Sequence, residues 1–264
     1  MHRIKSSIFS AATAGNHGRA VAWSARRLGS AAKIFVPSIT VQARIDAIRG
    51  EGAEVRVVDG SYEDAVRLCD SESRAHGWQV ISDTGYPGYL EIPNWVVEGY
   101  ETLFLEYEEQ RDTEHDVAMI QAGVGGLLCA AVTHFRSRES GPLIVSVEPT
   151  SADGLLESIS SADGSPCVSN GAQDSIMAGL NCREVSFTAW PSIRRGVDIF
   201  AAIEDSWTIE AMRLLADCGI SSGESGAAGL AGLLVLRAEF PDARALLINT
   251  EGHSTRNVLR DSQL

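Results

Sequence analysis

Lysine is rare in this sequence, and positive charge is in the minority. Lys5 and Lys33 are the only lysines among 264 residues, and 35 acidic residues against 22 lysines and arginines give a formal net charge of −13. Proteins that bind DNA or RNA neutralise the phosphate backbone with clustered lysine and arginine. The charge balance therefore predicts no nucleic-acid partner.

Long apolar runs and a secretory leader are missing as well. The longest apolar runs, such as residues 127–132, fall far short of the roughly 20 residues that span a bilayer. Residues 1–10 do not show a charged region followed by the long apolar stretch that is typical of a signal peptide. We therefore expect no membrane partner and predict a cytoplasmic protein.

Cysteine is scarce and scattered over the chain. No two of the cysteines form a C-x-x-C pair, and no histidine lies beside them at ligand spacing. This pattern predicts free thiols in a reducing compartment and no metal site. The five positions are Cys69, Cys129, Cys167, Cys182 and Cys218.

Short β-branched segments alternate with helix-period segments along almost the whole chain, which predicts an α/β protein with parallel sheets covered on both faces. A long polar helix is predicted over about 91–110. The predicted strands are 8–12, 33–36, 54–58, 78–82, 117–121, 143–147, 198–202 and 245–249. Later helices are predicted at 127–137, 208–216 and 227–238.

The most informative loop is 122–126, AGVGG, between a predicted strand and a predicted helix. Successive backbone N–H groups and the positive end of the helix favour a single compact phosphate. The loop is not a P-loop because no lysine follows it, and Leu128 replaces the third glycine of a dinucleotide motif. The alternative is that these glycines only allow close packing of helix and strand.

Further polar loops follow other predicted strands or open helices. Residues 13–18 contain Asn16, which could bind a ligand or simply cap the next helix. Asp83 follows another strand, and residues 222–226 (SGESG) and 249–253 (NTEGH) complete the set. Each is weak alone, because such residues are usually solvated turn residues. As a set, we expect five loops at one sheet edge to outline a single cleft.

Together these motifs resemble those of fold type II pyridoxal-phosphate (PLP) enzymes, the tryptophan synthase β-like group. Within that group the sequence is most similar to the diaminopropionate ammonia-lyase family. The similarity extends from about Phe9 to Gly252. It is carried by segments 15–19 (GNHGR), 83–84 (DT), 147–149 (VEP), 174–180 (DSIMAGL) and 249–252 (NTEG), of which 174–180 is the most specific.

The resemblance implies an α/β fold of two lobes, each with a mainly parallel sheet flanked by helices. We expect residues 13–110 to form the smaller lobe. Residues 1–12 and 111–264 would form the larger lobe, which carries the phosphate loop. Members of the family commonly form dimers, so the resemblance also implies a homodimer.

The implied reaction is α,β-elimination of 2,3-diaminopropionate, a small amino-acid substrate, to pyruvate and ammonia. The cofactor, pyridoxal 5'-phosphate, serves as the electron sink. By the resemblance, Asn16 binds the ring hydroxyl oxygen, Thr250 lies near the pyridine nitrogen, and Asp83 is a substrate-site carboxylate that pairs with an amino group. The backbone of Gly123, Val124, Gly125 and Gly126 holds the cofactor phosphate.

Three features depart from the family pattern, one of them being His253 and Ser254 in place of the family's acidic continuation. The family's Schiff-base lysine lies well before the Gly15–Gly18 motif, whereas only 14 residues precede Gly15 here, and neither Lys5 nor Lys33 corresponds to it. Ala14 stands where the ammonia-lyases carry an aspartate that serves as a base. We therefore expect this chain to lack the N-terminal lysine segment.

Three functional interpretations stay open at this point. The first is an ammonia-lyase whose N-terminal segment is missing from the sequence. The second is an inactive homologue that binds PLP or an amino acid without converting it, which the missing lysine favours. The third is an eliminase similar to threonine or serine dehydratases, against which segment 174–180 argues.

Overall fold

The first part of the chain builds a parallel sheet of four strands in the order β3-β2-β1-β4. This computed structural model describes residues 7–13 and 15–252, so Lys5, Ala14, His253 and Ser254 lie outside it. The first compact unit ends at Ser82. Its elements are β1 (Ile8–Ala12), α1 (Asn16–Leu28), β2 (Ala31–Pro37), α2 (Gln42–Gly50), β3 (Glu54–Val58), α3 (Tyr62–His76) and β4 (Gln79–Val80).

Alternating side chains of β2 divide the core of this unit between the two faces of the sheet. Ile34 and Val36 pack into an apolar cluster with residues of α1 and α2. Phe35 points to the other face, where it packs with Ala65 and Cys69 of α3. The sheet is therefore buried on both sides, as parallel sheets require.

The second compact unit begins at Asp83 and has its own four-stranded parallel sheet, in the order β7-β6-β5-β8. A short 3-10 helix, Ala178–Leu180, precedes α7. The elements are α4 (Glu91–Gln110), β5 (Val117–Gln121), α5 (Gly126–Arg136), β6 (Leu143–Pro149), α6 (Gly154–Ser160), α7 (Trp190–Gly196), β7 (Ile199–Ile203), α8 (Asp205–Asp217), α9 (Glu224–Val235) and β8 (Ala245–Leu247).

All five residues of β5 are buried, which places this strand at the centre of the second unit. Ala118 and Ile120 pack with residues of α5 on one face. Val117 and Met119 pack with residues of α8 and α9 on the other. The polar Gln121 and the glycine loop therefore start from a strand that is fixed on both sides.

The expected fold class is confirmed, but two expected lobe boundaries are wrong. Strand Ile8–Ala12, which we assigned to the larger lobe, pairs in parallel with β2 and β4 of the first unit. One helix is the whole connection from β1 to β2, so the two strands become neighbours. The first unit also ends at Ser82 rather than at residue 110, because α4 packs against α5 of the second unit.

Most predicted elements lie within a few residues of their predicted positions. The spacing of Ser61 and Asp64 in the sequence indicates a capping box at the start of α3, and the structure has it, since Ser61 Oγ accepts from Asp64 N and Asp64 accepts in return from Ser61 N. The short helices α6 and α7 were not predicted, because seven residues are too few to display a helical period. Within the described residues, no helix has both the length and the apolar character to cross a bilayer.

Candidate functional site

The glycine loop leaves the N-terminus of α5 without a cap from any side chain. Gly125, the N-cap residue, has a φ of 95°, in the left-handed region that favours glycine. The first turn of the helix contains no acidic residue. Because the first N–H groups of a helix have no partner within it, this end can bind an anion.

The glycines also serve close packing, so the two interpretations of the loop are not exclusive. A Cβ on Gly125 would lie 2.6 Å from Ile193 Cδ1, and a Cβ on Gly123 would lie 3.0 Å from Cys182 Sγ. Substitution at either position would therefore disturb the fold as well as the loop. A variant at Gly125 cannot by itself identify a phosphate site.

The loop 222–226 and the segment after β8 are joined by hydrogen bonds. Gly223 N donates to the backbone oxygen of Glu251 at 3.0 Å, and Ser225 N donates to Glu251 Oε1 at 2.9 Å. Ser222 Oγ donates to Asn249 Oδ1 at 2.9 Å. The serine-rich loop thus fixes the backbone on both sides of Thr250.

Gln121, which was not predicted from the sequence, connects Thr250 to the glycine loop. Gln121 Nε2 donates to Thr250 Oγ1 at 3.2 Å, and Gln121 directly precedes the loop. β8 pairs with β5, so both segments leave the same edge of the sheet. A polar residue at the end of an otherwise apolar strand is the signal that could have identified Gln121.

Hydrogen bonds through Ser186 connect the segment that contains Asp83 to the same glycine loop. Gly85 N donates to Ser186 Oγ at 2.7 Å, and Ser186 N donates to the backbone oxygen of Val124 at 2.8 Å. Asp83 is half-buried two residues before Gly85. The second unit therefore brings Asp83, Val124 and Thr250 into one region, and Ser186 is a second residue that the sequence did not identify.

Tyr100 of α4 completes this region. A Cβ on Gly126 would lie 3.5 Å from Tyr100 Cε2, so the phenol ring lies beside the start of α5. Burial raises the pKa of the Tyr100 hydroxyl, and the negative charge of Asp83 raises it further. Tyr100 is therefore a neutral hydroxyl at neutral pH, able to donate a hydrogen bond.

Segment 174–180 also packs against the glycine loop. Asp205 holds it through Ser175 Oγ at 2.6 Å and Ile176 N at 3.0 Å. At its other end Gly179 N donates to Ser225 Oγ at 3.0 Å. The backbone oxygen of Gly179 would lie 3.2 Å from a Cβ on Gly123. Segment 174–180, the part of the sequence that is most specific to the family, therefore packs directly against the glycine loop.

Asn16 lies in the first unit, so the expectation that five loops share one sheet is wrong: two sheets contribute them. Asn16 is exposed at the start of α1. Thr13 Oγ1, and not Asn16, accepts from Gly15 N at 3.0 Å and Gly18 N at 3.3 Å. Helix capping is therefore not the role of Asn16.

Lys33, also in the first unit, is held by its neighbours. Its Nζ donates to Glu54 Oε2 at 2.5 Å and lies 4.9 Å from the centre of the Trp78 ring. A carboxylate and an aromatic face therefore both contact the amino group of Lys33. That Lys33 does not correspond to the family's Schiff-base lysine stays a prediction from the sequence.

Comparison with known proteins identifies relatives over nearly the whole chain. The sequence model of the family described as pyridoxal-phosphate dependent enzyme matches residues 3–251. A diaminopropionate ammonia-lyase from Salmonella typhimurium is 36% identical over 98% of this chain and 70% of its own length. The Escherichia coli K12 protein of that name is 38% identical over 92% of this chain and 66% of its own length. The chain thus spans about two thirds of these relatives.

Solved structures agree with the sequence matches. The crystal structure of Escherichia coli diaminopropionate ammonia lyase in complex with an aminoacrylate-PLP reaction intermediate has a TM-score of 0.86 and 35% identity. It covers 94% of this chain and 68% of that protein. Threonine deaminase isoform 2 of Solanum lycopersicum, at 23% identity and a TM-score of 0.83, shares the fold. The chain belongs to the family of pyridoxal-phosphate dependent enzymes.

Proposed function

We propose that this chain binds pyridoxal 5'-phosphate and 2,3-diaminopropionate as part of a lyase that eliminates ammonia from this substrate to give pyruvate. The observation that carries the proposal is the link from Gly85 through Ser186 to Val124, which joins the Asp83 segment to the glycine loop. A phosphate site and a carboxylate for a substrate ammonium group would then lie in one region.

The donor set of the loop fits the cofactor phosphate. Backbone N–H groups of Gly123, Val124, Gly125 and Gly126, at a helix end with no acidic side chain in its first turn, suit a phosphate dianion. Thr250 offers a neutral hydroxyl for the pyridine nitrogen. When bound, PLP supplies an electron sink for the carbanion left by removal of the α-proton.

Asp83 would select the substrate. Diaminopropionate differs from serine in carrying an ammonium group where serine has a hydroxyl, and a carboxylate favours the ammonium through a charge-assisted hydrogen bond. In the half-buried environment of Asp83, such a contact is worth roughly 1.5–3 kcal/mol. This corresponds to a preference of about ten- to a hundredfold.

A second candidate function is binding of PLP and amino acid without turnover. The observation that favours it is the engagement of Lys33 by Glu54 and Trp78. Proton transfer at the substrate needs a base that reaches the α-proton, and the amino group of Lys33 is directed to Glu54 and Trp78 instead.

The test is to load the purified chain with PLP and titrate it with diaminopropionate, serine and threonine by calorimetry. Pyruvate release is followed in parallel against a PLP blank without protein. We expect diaminopropionate to bind about tenfold or more tightly than serine. The variant Asp83→Asn should remove most of this preference, whereas Asp217→Asn, at the exposed end of α8, should retain it.

Equal binding and turnover of serine or threonine would contradict the proposed substrate and support a dehydratase. Selective binding of diaminopropionate without pyruvate above the blank would contradict turnover by this chain and support the binding function. Failure to bind PLP would contradict the proposed cofactor site.

The finer details of location and assembly are part of the same proposal. We propose that the protein works in the cytoplasm and that it acts as a homodimer, as the family resemblance implies. Light scattering of the purified chain tests the second point, and a monomer at micromolar concentration would contradict it.

A further inference from the structure

Gln121 links the buried centre of the second sheet to Thr250. Its side chain is only 3% exposed. Nε2 donates two hydrogen bonds, one to the backbone oxygen of Ile248 at 2.7 Å and one to Thr250 Oγ1 at 3.2 Å. Both acceptors follow β8, so one amide group fixes the course of this segment.

The orientation of the amide follows from the chemistry of its partners. A backbone carbonyl can only accept, so the NH2 group and not Oε1 must face Ile248. The second N–H of the same group then reaches Thr250. Oε1 has no hydrogen-bond partner among the described residues, and a buried acceptor without a partner is unfavourable. The NH2 group is therefore held toward Thr250 at some expense of stability.

This contact determines whether the Thr250 hydroxyl donates or accepts a hydrogen bond toward a further partner. Because Thr250 Oγ1 accepts a hydrogen bond from Gln121, its proton must point away from Gln121. We infer that Gln121 is a positioning residue that makes Thr250 a hydrogen-bond donor to the pyridine nitrogen of PLP. The inference rests on the proposed function, which assigns Thr250 to that nitrogen.

The direction of the hydrogen bond matters for the cofactor. A hydroxyl that donates favours a pyridine nitrogen without a proton, whereas a hydroxyl that accepts favours a protonated one. A threonine free to rotate can do either. Gln121 thus influences the protonation state of the ring nitrogen through Thr250.

The test uses PLP labelled with ¹⁵N at the ring nitrogen, bound to the parent chain and to three variants. These are Thr250→Val, which removes the hydroxyl, Gln121→Met, which keeps the volume but cannot donate, and the double variant. The ¹⁵N chemical shift and its pH dependence report the state of the nitrogen, and equilibrium dialysis reports PLP affinity.

In the parent we expect a nitrogen that is hydrogen-bonded and unprotonated at neutral pH. Gln121→Met should move the ¹⁵N signal away from that of the parent and weaken PLP binding about fivefold, the value of one ordinary hydrogen bond. The double variant should give the signal of Thr250→Val alone. A role of Gln121 in packing only would lower stability without moving the signal.

A parent signal retained in Gln121→Met, while Thr250→Val moves it, would overturn the inference and leave the proposed function intact. If Thr250→Val also leaves the signal unchanged, or if the parent binds no PLP, the proposed cofactor site is wrong and the inference fails with it.

A second measurement needs no substitution at Gln121. In chain labelled with ¹⁵N-glutamine, PLP should shift the side-chain amide signal of Gln121 in the parent but not in Thr250→Val. Equal shifts in both proteins would show that the cofactor affects Gln121 independently of Thr250. This result would overturn the inference that Gln121 acts through Thr250.

Discussion

Glu148 is a carboxyl group placed almost entirely out of contact with water. It is 1% exposed and accepts hydrogen bonds from Leu155 N at 2.9 Å and Leu156 N at 3.0 Å, at the start of α6. Burial raises the pKa of Glu148 to about 8, although the two N–H donors act in the opposite direction. At neutral pH the folded protein therefore holds a proton that the unfolded chain releases.

This difference predicts the pH dependence of stability. Because the pKa of Glu148 is higher in the folded than in the unfolded chain, its contribution is complete below about pH 4.5 and is lost as pH rises toward 8. As the pH is raised from 5 to 8, we expect the urea concentration at the unfolding midpoint of the parent to decrease relative to that of Glu148→Gln. The exposed control Glu184→Gln should follow the parent, and parallel curves for parent and Glu148→Gln would contradict the assignment.

At the scale of elements, one carboxylate joins α4 to α5. Glu108 of α4 receives Arg111 Nε at 2.6 Å, Arg138 Nη1 at 2.6 Å and His134 Nε2 at 3.2 Å. Burial alone would raise its pKa, but the hydrogen bonds from Arg138, Arg111 and His134 prevail and lower it to about 2. The network therefore depends on an ionised Glu108.

The pH dependence of stability expected from Glu108 is opposite to that expected from Glu148. Since the pKa of Glu108 is lower in the folded chain, its contribution is complete above about pH 4.5 and is lost as pH falls toward 2. We expect Glu108→Gln to lower the free energy of unfolding by about 1–3 kcal/mol at pH 7. Urea unfolding should show the difference shrinking below pH 4, and the exposed neighbour variant Glu109→Gln should lack the effect. A difference that stays constant with pH would contradict it.

The sequence predicts elements well where the cause is local. The Ser61 capping box and the 20 residues of α4 depend on neighbours within one or two turns. The lobe of β1 depends on pairing with a strand more than 20 residues away, and packing of segment 174–180 under Gly123 depends on contacts farther still. The periodicity of a sequence does not show such long-range contacts. For this reason Gln121 and Ser186 were not predicted as residues of the site.

At the scale of the whole molecule, the second unit alone contains the glycine loop, Asp83, Tyr100 and Thr250. The resemblance predicted the first, second and fourth of these as ligand-binding residues, and hydrogen bonds within the unit support their common location. The central claim is therefore that residues 123–126 hold the phosphate of PLP. Because Gly123 and Gly125 are needed for packing, Val124 is the better position for a test.

The most direct measurement is the PLP affinity of Val124→Asp and Val124→Asn by equilibrium dialysis. The two side chains have similar size, and Asp before the N-terminus of α5 favours the helix, so thermal unfolding should show both variants folded. The carboxylate should repel the phosphate and weaken PLP binding about tenfold or more, whereas Asn should bind within about threefold of the parent. Equal affinity of the Asp and Asn variants would contradict a phosphate site at residues 123–126.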